Sequence, residues 1–347
     1  MTLLRIEDLK VHFPVRTGRF GGETAVVKAV DGVSITVARN ETLAVVGESG
    51  CGKSTTGNAV LGLAPITEGR ILFEGRDLTQ MDRAERKRAW REMQVVFQDP
   101  VSALNPRRTV AQSIAEPLVI HGFPKADIRA RVDELIALVG LNSDQRDRRP
   151  GALSGGQRQR VVIARALALS PKLVICDEPV SALDVSIQSQ ILNLLMRLQR
   201  ELGLSYLFIA HDLSVVRHIA DRVAVMYLGI VVEEGPAATV FAAPVHPYTE
   251  ALLSAIPLPD PVGREDRHRI MLEGDLPSPL DPPPGCPFVT RCPIAEAACR
   301  DGRPPLVEVS AGHLHRCRVR ADGRSDADGR AGAAGSPEAI GLSPSAR

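Results

Sequence analysis

Gly47, Glu48, Ser49, Gly50, Cys51, Gly52, Lys53 and Ser54 form a run whose residue types suit one task, holding a phosphate. Gly50 and Gly52 permit backbone angles that a side chain forbids, so successive N–H groups can turn inward on an anion. Lys53 adds a charge for the β/γ-phosphates and Ser54 a hydroxyl for Mg²⁺. The apolar run L-A-V-V at 43–46 reads as a buried strand that Gly47 ends. A helix starting near 53 would aim its positive end at the phosphates. Cys51 could act as a redox switch; the plainer reading is a small side chain at a position the pattern leaves free.

Further chemistry stands at the ends of other apolar runs. Asp177 and Glu178 follow L-V-I-C at 173–176, a second buried strand, and ligands of open α/β sheets bind at such carboxyl ends. Asp177 is suited to holding Mg²⁺ and Glu178 to polarising an attacking water. His211 follows the strand-like Y-L-F-I-A at 206–210, where a neutral imidazole could contact a γ-phosphate, although lone histidines are more often structural. Gln98 follows M-Q-V-V-F at 93–97; its amide could ligate Mg²⁺ or orient water, and alone it is a weak signal. L-S-G-G-Q at 153–157 opens a helix that runs to 169. Ser154 and the amides of Gly155 and Gly156 then face outward at a helix N-terminus, a second anion site. A plain N-cap would explain Ser154-Gly155-Gly156 alone, but not a second phosphate-ready terminus in a chain that already has one.

These runs, in this order, resemble the ATP-binding subunits of ABC transporters over about residues 3–320. The resemblance makes 47–54 the Walker A loop, Gln98 the Q-loop and 153–157 the signature. It makes 173–178 Walker B with catalytic Glu178, S-A-L-D at 181–184 the D-loop and His211 the switch histidine. It implies a P-loop α/β core and a head-to-tail dimer, with each ATP held by Walker A and its Thr55 in one subunit. Ser154, Gly155, Gly156, Gln157 and the D-loop Asp184 of the other subunit would complete that site. It also implies an aromatic platform for adenine, at Phe13 in this chain.

The elements that must position these groups follow. Residues 1–90 hold an N-terminal strand region, with a surface loop at 16–27, and then the phosphate loop and its helix. Residues 91–165 carry helical patterns, such as Ile128, Val132, Leu135, Ile136 and Val139 on one face of 126–139. In the family this is the subdomain that meets the membrane partner. The α/β core resumes at 166–235. Its best helix is 185–202, where Ile187, Ile191, Leu194, Leu195, Leu198 and Leu202 form a stripe that Gly203 ends. Residues 223–235 read as a hairpin closing the nucleotide-binding domain, which ends at 243.

Composition bounds the partners. The 347 residues are 44% hydrophobic, enough for one large core and a smaller domain. Net charge is +1, which gives no electrostatic case for nucleic acid, and the basic run 83–88 is most simply a solvated helix face. No apolar stretch approaches the roughly 18 residues of a membrane span, and no secretory signal is visible. The expectation is a peripheral subunit on the cytoplasmic face of the membrane. It would dock on two transmembrane permease subunits beside a sister ABC ATPase, with an extracytoplasmic solute-binding protein acting indirectly.

Between 244 and 305 lie 14 of the 26 prolines, which exclude long helix or central strand. Cys286, Cys292, Cys299 and Cys317 lie in or just beyond this region, and a segment with so little core needs a cross-link or a metal. Disulfides suit a cytosolic ATPase poorly. Four-thiolate zinc and an iron–sulfur cluster stand level on chemistry alone. H-P-Y-T-E-A-L-L-S-A-I-P at 246–257, L-E-G-D-L-P-S-P at 272–279 and P-P-G-C-P-F-V-T-R-C-P at 283–293 resemble the C-terminal extension of oligopeptide and dipeptide permease ATPases, here 244–320. Some members of that family carry a [4Fe–4S] cluster on these four cysteines, so the resemblance implies one here, with zinc or no metal the alternatives. His313 and His315 flank Cys317 and either assist as ligands or are solvated. Residues 321–347, nearly free of large apolar groups, are expected to be a disordered tail. The cargo implied is di- or oligopeptides, with nickel, glutathione or another small solute as alternatives. Two rival classes lack their marks: a soluble ABC ATPase of repair or translation would carry long insertions or a second ATPase unit, and a redox regulator would not need intact Glu178 and His211.

Overall fold

The structure, a computed structural model, describes residues 1–16, 24–256 and 270–320. The expected tail 321–347 and most of the expected loop 16–27 lie outside the described residues.

Among the described residues two sheets carry the fold. The smaller is antiparallel, ordered β2-β1-β4-β5, from β1 Thr2–Arg16, β2 Thr24–Ala38, β4 Glu68–Phe73 and β5 Arg76–Asp77. The larger is ordered β11-β12-β10-β9-β3-β8-β7-β6. Its parallel part is β3 Thr42–Val46, β6 Met93–Val96, β7 Leu173–Asp177, β8 Ser205–Ala210 and β9 Arg222–Tyr227. β10 Ile230–Pro236, β11 Val307–Ser310 and β12 His313–His315 add antiparallel strands at one edge.

The parallel strands are buried on both faces, so they read as continuous apolar runs. Alternation still sorts their side chains. Ala44 and Val46 join a core on the helical side, whereas Leu43 and Val45 join a core shared with the smaller sheet. The helices are α1 Lys53–Val60, α2 Arg83–Glu92, α3 Pro100–Ala103, α4 Val110–Ile120, α5 Lys125–Leu138, α6 Gly155–Leu167, α7 Val185–Leu202, α8 Leu213–Ile219, α9 Ala237–Ala242 and α10 Pro247–Ser254. α7 buries Ile191, Leu194, Leu195 and Leu198 and stops at left-handed Gly203. Leu202, expected in its apolar stripe, is 42% exposed. α5 buries Val132, Leu135 and Ile136.

Two parts of the chain sit differently from the sequence reading. Met93–Val96, grouped there with the helical subdomain, pairs in parallel with β7 as the edge strand of the core sheet. The C-terminal extension is sewn onto the core: β12 pairs with β10 through Glu233–His315 and Glu234–Leu314. Beneath that seam the fully buried Glu233 accepts hydrogen bonds from the Val245 and His246 amides at 2.8 and 2.9 Å. His313 Nε2 lies 2.7 Å from the same carboxylate. His315 is buried too, and its Nδ1 accepts from the Cys317 amide at 3.0 Å, so neither histidine is solvated.

Candidate functional site

β3 delivers the phosphate loop and α1 leaves it. Gly52 has φ +102°, and a Cβ there would stand 2.1 Å from the Ala29 carbonyl oxygen, so the loop needs glycine for both conformation and space. α1 starts at Lys53 with no acidic residue in its first turn and no side-chain cap, which leaves its N-terminal amides to a ligand. Lys53 is buried, and its Nζ donates to the carbonyls of Gly47 and Glu48 at 2.8 and 2.9 Å. Those carbonyls hold the ammonium inside the loop where phosphate charge would arrive.

Ser54 and Asp177 meet across the floor of the site. The Ser54 hydroxyl donates to Asp177 Oδ1 at 2.8 Å. Burial raises the Asp177 pKa, a cost that Ser54 and Lys53 partly offset. Two hard oxygen donors this close, one of them a partly desolvated carboxylate, fit Mg²⁺.

Glu178 lies where β7 ends, at φ +46°, a conformation unusual for a non-glycine residue and one that clusters at functional positions. Its amide donates to the Ile209 carbonyl at 2.9 Å. Its Oε2 lies 2.9 Å from His211 Nδ1 and accepts from Gln98 Nε2 at 3.1 Å. Two sequence-predicted residues, Gln98 and His211 from beyond the ends of β6 and β8, thus converge on one oxygen of Glu178 at the end of β7. They face Ser49, Gly50, Lys53, Ser54 and Thr55 across a cavity of about 420 Å³.

The signature is elsewhere. Ser154 caps α6, accepting from the Gln157 amide at 3.3 Å while its own amide donates to Gln157 Oε1 at 3.0 Å. Ser154 is exposed and Gly156 is buried against Ile187. None of Ser154, Gly155, Gly156, Gln157 or Asp184 lines the cavity. Asp184 is exposed at the start of α7, and its side chain makes no cap hydrogen bond. Phe13 sits in β1 opposite Val27, half-buried against the core and outside the cavity lining.

Cys51 is buried with its Sγ 3.8 Å from Lys53 Nζ, and burial raises its pKa despite that charge. An unreactive thiol filling space fits this setting better than a redox switch.

The four C-terminal cysteines are free thiols that gather in one place. Cys286 senses the charge of Cys299 and Cys317, and Cys292 that of the other three, while the Cys286 amide donates to the Cys299 carbonyl at 2.8 Å. Burial pushes Cys292 up to about 11 and raises Cys286 and Cys317. Backbone amides of Phe288 and Val289 oppose this at Cys286, that of Ile294 at Cys292, and those of Val319 and Arg320 at Cys317. Amides aimed at sulfur suit thiolate ligands. The expectation of a formed metal centre is nonetheless not met: among the described residues no group of three His, Cys, Asp or Glu side chains is placed to hold a metal ion. The donor types fit a metal; their present placement does not close on one.

Arg291 was missed by sequence reasoning, although R-C-P had been noted: its guanidinium binds the Glu48 carboxylate of the phosphate loop. No local signal could have announced a pair so far apart along the chain.

A second and larger groove, about 780 Å³, runs between β6 and the helical part, with Phe97, Gln98, Glu116, Ile120, His121 and Arg165 among its walls. Phe97, Val101, Val119 and Ile120 are exposed apolar residues on the same part of the molecule. Among the described residues no helix is long and apolar enough to cross a membrane.

Known proteins that resemble this chain fall into one family. Residues 30–181 match the ABC transporter family, and 232–299 match the oligopeptide/dipeptide transporter C-terminal region. The chain is 52% identical to the oligopeptide transport ATP-binding protein OppF of Salmonella typhimurium, covering 91% of this chain and 95% of that one. It is 49% identical to AppF of Bacillus subtilis over 92% and 97% of the two chains, and 51% identical to the dipeptide transport ATP-binding protein DppF of Escherichia coli over 91% and 93%. Among solved structures, cbiO1 of Clostridium perfringens, part of an ABC transporter complex, superposes with TM-score 0.60 at 32% identity, covering 70% of this chain and 91% of that one. The dimeric cassette MJ0796, in a post-hydrolysis state with ADP and Pi, gives 0.59 at 28% identity over 68% and 99%.

Fold and site together define an ATP-binding cassette, an ATPase that works with Mg²⁺. The chain belongs to the ABC transporter family, as an ATP-binding subunit whose C-terminal region is of the oligopeptide/dipeptide transporter type.

Proposed function

We propose that the chain energises a membrane importer of di- or oligopeptides. The observation that carries the reading is the convergence of His211 and Gln98 on one Glu178 oxygen, opposite the phosphate loop and beside the Ser54–Asp177 pair. Residues 47–55 would cradle the phosphates of ATP, and Phe13 would stack on its adenine. Mg²⁺, on Ser54, Asp177 and Gln98, would neutralise charge developing on the phosphates. Glu178 would polarise the attacking water, with His211 holding the carboxylate in place. Ser154, Gly155, Gly156, Gln157 and Asp184 would complete the site of a partner cassette, which is consistent with their lying outside this chain's own cavity.

The unit responsible is 1–243, with its helical part between β6 and about residue 165. The apolar groove around Phe97 and Ile120 is the surface we assign to the transmembrane permease subunits. Closure of two cassettes would draw these grooves inward and move the permeases between access states. On this reading the subunit sits peripherally on the cytoplasmic face and pairs with a sister ABC ATPase as a heterodimer, a homodimer being the alternative. The named relatives support peptides over nickel, glutathione or another solute as cargo. Reconstitution with permeases and binding protein in vesicles tests this: peptide uptake must require ATP and fail with Glu178→Gln.

For 244–320 we infer a four-thiolate [4Fe–4S] cluster on Cys286, Cys292, Cys299 and Cys317, supported by their donor type and by the amides directed at the sulfurs of Cys286, Cys292 and Cys317; binding it would require the four thiols to draw together. A single zinc ion would need the sulfurs about 3.8 Å apart, given Zn–S bonds of about 2.3 Å. The cluster would order the extension, and no step of hydrolysis is assigned to it. Anaerobic purification followed by iron analysis and visible absorption decides the matter; iron-free protein containing stoichiometric zinc would reverse the choice.

A further inference from the structure

The phosphate loop is held by the cysteine-bearing end of the chain. Glu48 directly follows the strand-ending Gly47. Its carboxylate accepts two hydrogen bonds from Arg291, Nη1 to Oε2 at 2.8 Å and Nη2 to Oε1 at 3.1 Å, across 243 positions of sequence. This two-pronged geometry fixes direction as well as charge. The Arg291 side chain is 10% exposed and that of Glu48 28%, so the pair is screened less than a surface ion pair.

The backbone of Glu48 is held by the same region. Its N–H donates to the Tyr248 hydroxyl at 2.9 Å. Tyr248 packs in a cluster of rings with Tyr227 and Phe288, centroids 4.7 to 5.5 Å apart. The Arg291 amide closes a turn onto the Phe288 carbonyl at 3.0 Å, so both grips on Glu48 share one packed unit. The Glu48 carbonyl in turn accepts from Lys53 Nζ. A second clamp lies further along: Arg303 donates to the Asp31 carbonyl at 2.7 Å and pairs with its carboxylate, and Asp31 lies 3.0 Å from His12, the neighbour of Phe13.

The geometry points to Arg291 as a positioning residue for ATP. Acting through Glu48, it fixes the conformation of the phosphate loop, so the C-terminal extension sets nucleotide affinity. Its own charge is neutralised by Glu48, so what it supplies to the loop is shape. A loop freed of this grip samples arrangements in which its amides no longer converge, and each ATP bound must then re-order it. The step that follows binding depends on Glu178 and His211, which Arg291 does not touch.

The inference rests on the loop's binding ATP, and the test separates the two. The full chain is titrated with a fluorescent mant-ATP and Mg²⁺, and ATPase activity and melting temperature are measured on the same samples. Arg291→Ala and Glu48→Ala should each weaken nucleotide binding about tenfold, and Arg291→Ala, which lies outside the loop, should hold kcat within about twofold. The double variant should be no worse than the weaker single, because both remove one link. Arg291→Lys, which keeps charge but loses the fork, should fall between wild type and Arg291→Ala and carries the test should the alanine variant fold poorly. Unchanged affinity in the variants, additive losses in the double variant, or a lowered melting temperature with affinity intact would overturn the inference alone. A wild-type chain that binds no mant-ATP would overturn the loop assignment and this inference with it.

Discussion

His211 Nδ1 stands 2.9 Å from Glu178 Oε2, and these two residues are the first beyond the ends of adjacent parallel strands. Glu178 is 14% exposed at its side chain and His211 53%, so the carboxylate is sheltered while the imidazole faces the opening. On the proposed reading the histidine orients the base and senses what occupies the cavity. His211→Ala should therefore lower kcat for ATP hydrolysis about tenfold or more while leaving nucleotide affinity near wild type. Steady-state ATPase kinetics beside a nucleotide titration check the split.

Lys53 is buried and carries two carbonyl partners inside the loop. Lys53→Ala should weaken ATP binding by about two orders of magnitude, the scale of a partly desolvated charge-assisted contact. Equilibrium titration with labelled nucleotide measures it.

Gly52 leaves no room for a methyl group, since the Ala29 carbonyl oxygen would lie 2.1 Å from it and φ is +102°. Gly52→Ala should distort the loop, abolish measurable ATP binding and cost about 2 kcal/mol of stability from strain and overpacking. Thermal melting and titration read the two effects separately.

Acidification should loosen the extension. Burial pushes His246 down to about 4, and its Nδ1, which must stay unprotonated, accepts from the Tyr248 amide at 3.2 Å. A histidine depressed in the fold stabilises fully above its ordinary value of about 6.5, and that contribution is lost as pH falls towards 4, at up to about 1.4 kcal/mol per pH unit. Burial lowers His315 in the same direction. Melting temperature should fall over this window. His246→Asn, which keeps an acceptor at the helix cap without titrating, should flatten the fall.

The strands that carry the candidate site were legible because parallel strands buried on both faces leave uninterrupted apolar runs, and the candidate residues stand at their ends: the loop after Val46, Asp177–Glu178 and His211. The bounds of α7 were legible to the residue, since its stripe and Gly203 are local signals, although Leu202 lies exposed rather than in the stripe. Met93–Val96 was harder, because four residues carry too little pattern to separate an edge strand from a neighbouring helical region. β11 and β12 were illegible for another reason: their order comes from pairing with β10, a register no local pattern encodes. His313 and His315 read as ligand helpers or solvated groups, yet both are buried and hydrogen-bonded on that seam. The grip of Arg291 on Glu48 belongs to the same class of long-range facts.

The central claim is that Glu178 makes hydrolysis possible between two closed cassettes. Glu178→Gln, mixed with the sister ATPase and ATP–Mg²⁺, is measured by light scattering and by phosphate release. The account predicts a stable cassette dimer with bound ATP and hydrolysis slowed about a hundredfold or more. A variant that turns over ATP at the wild-type rate, or that stays monomeric with nucleotide bound, would contradict it.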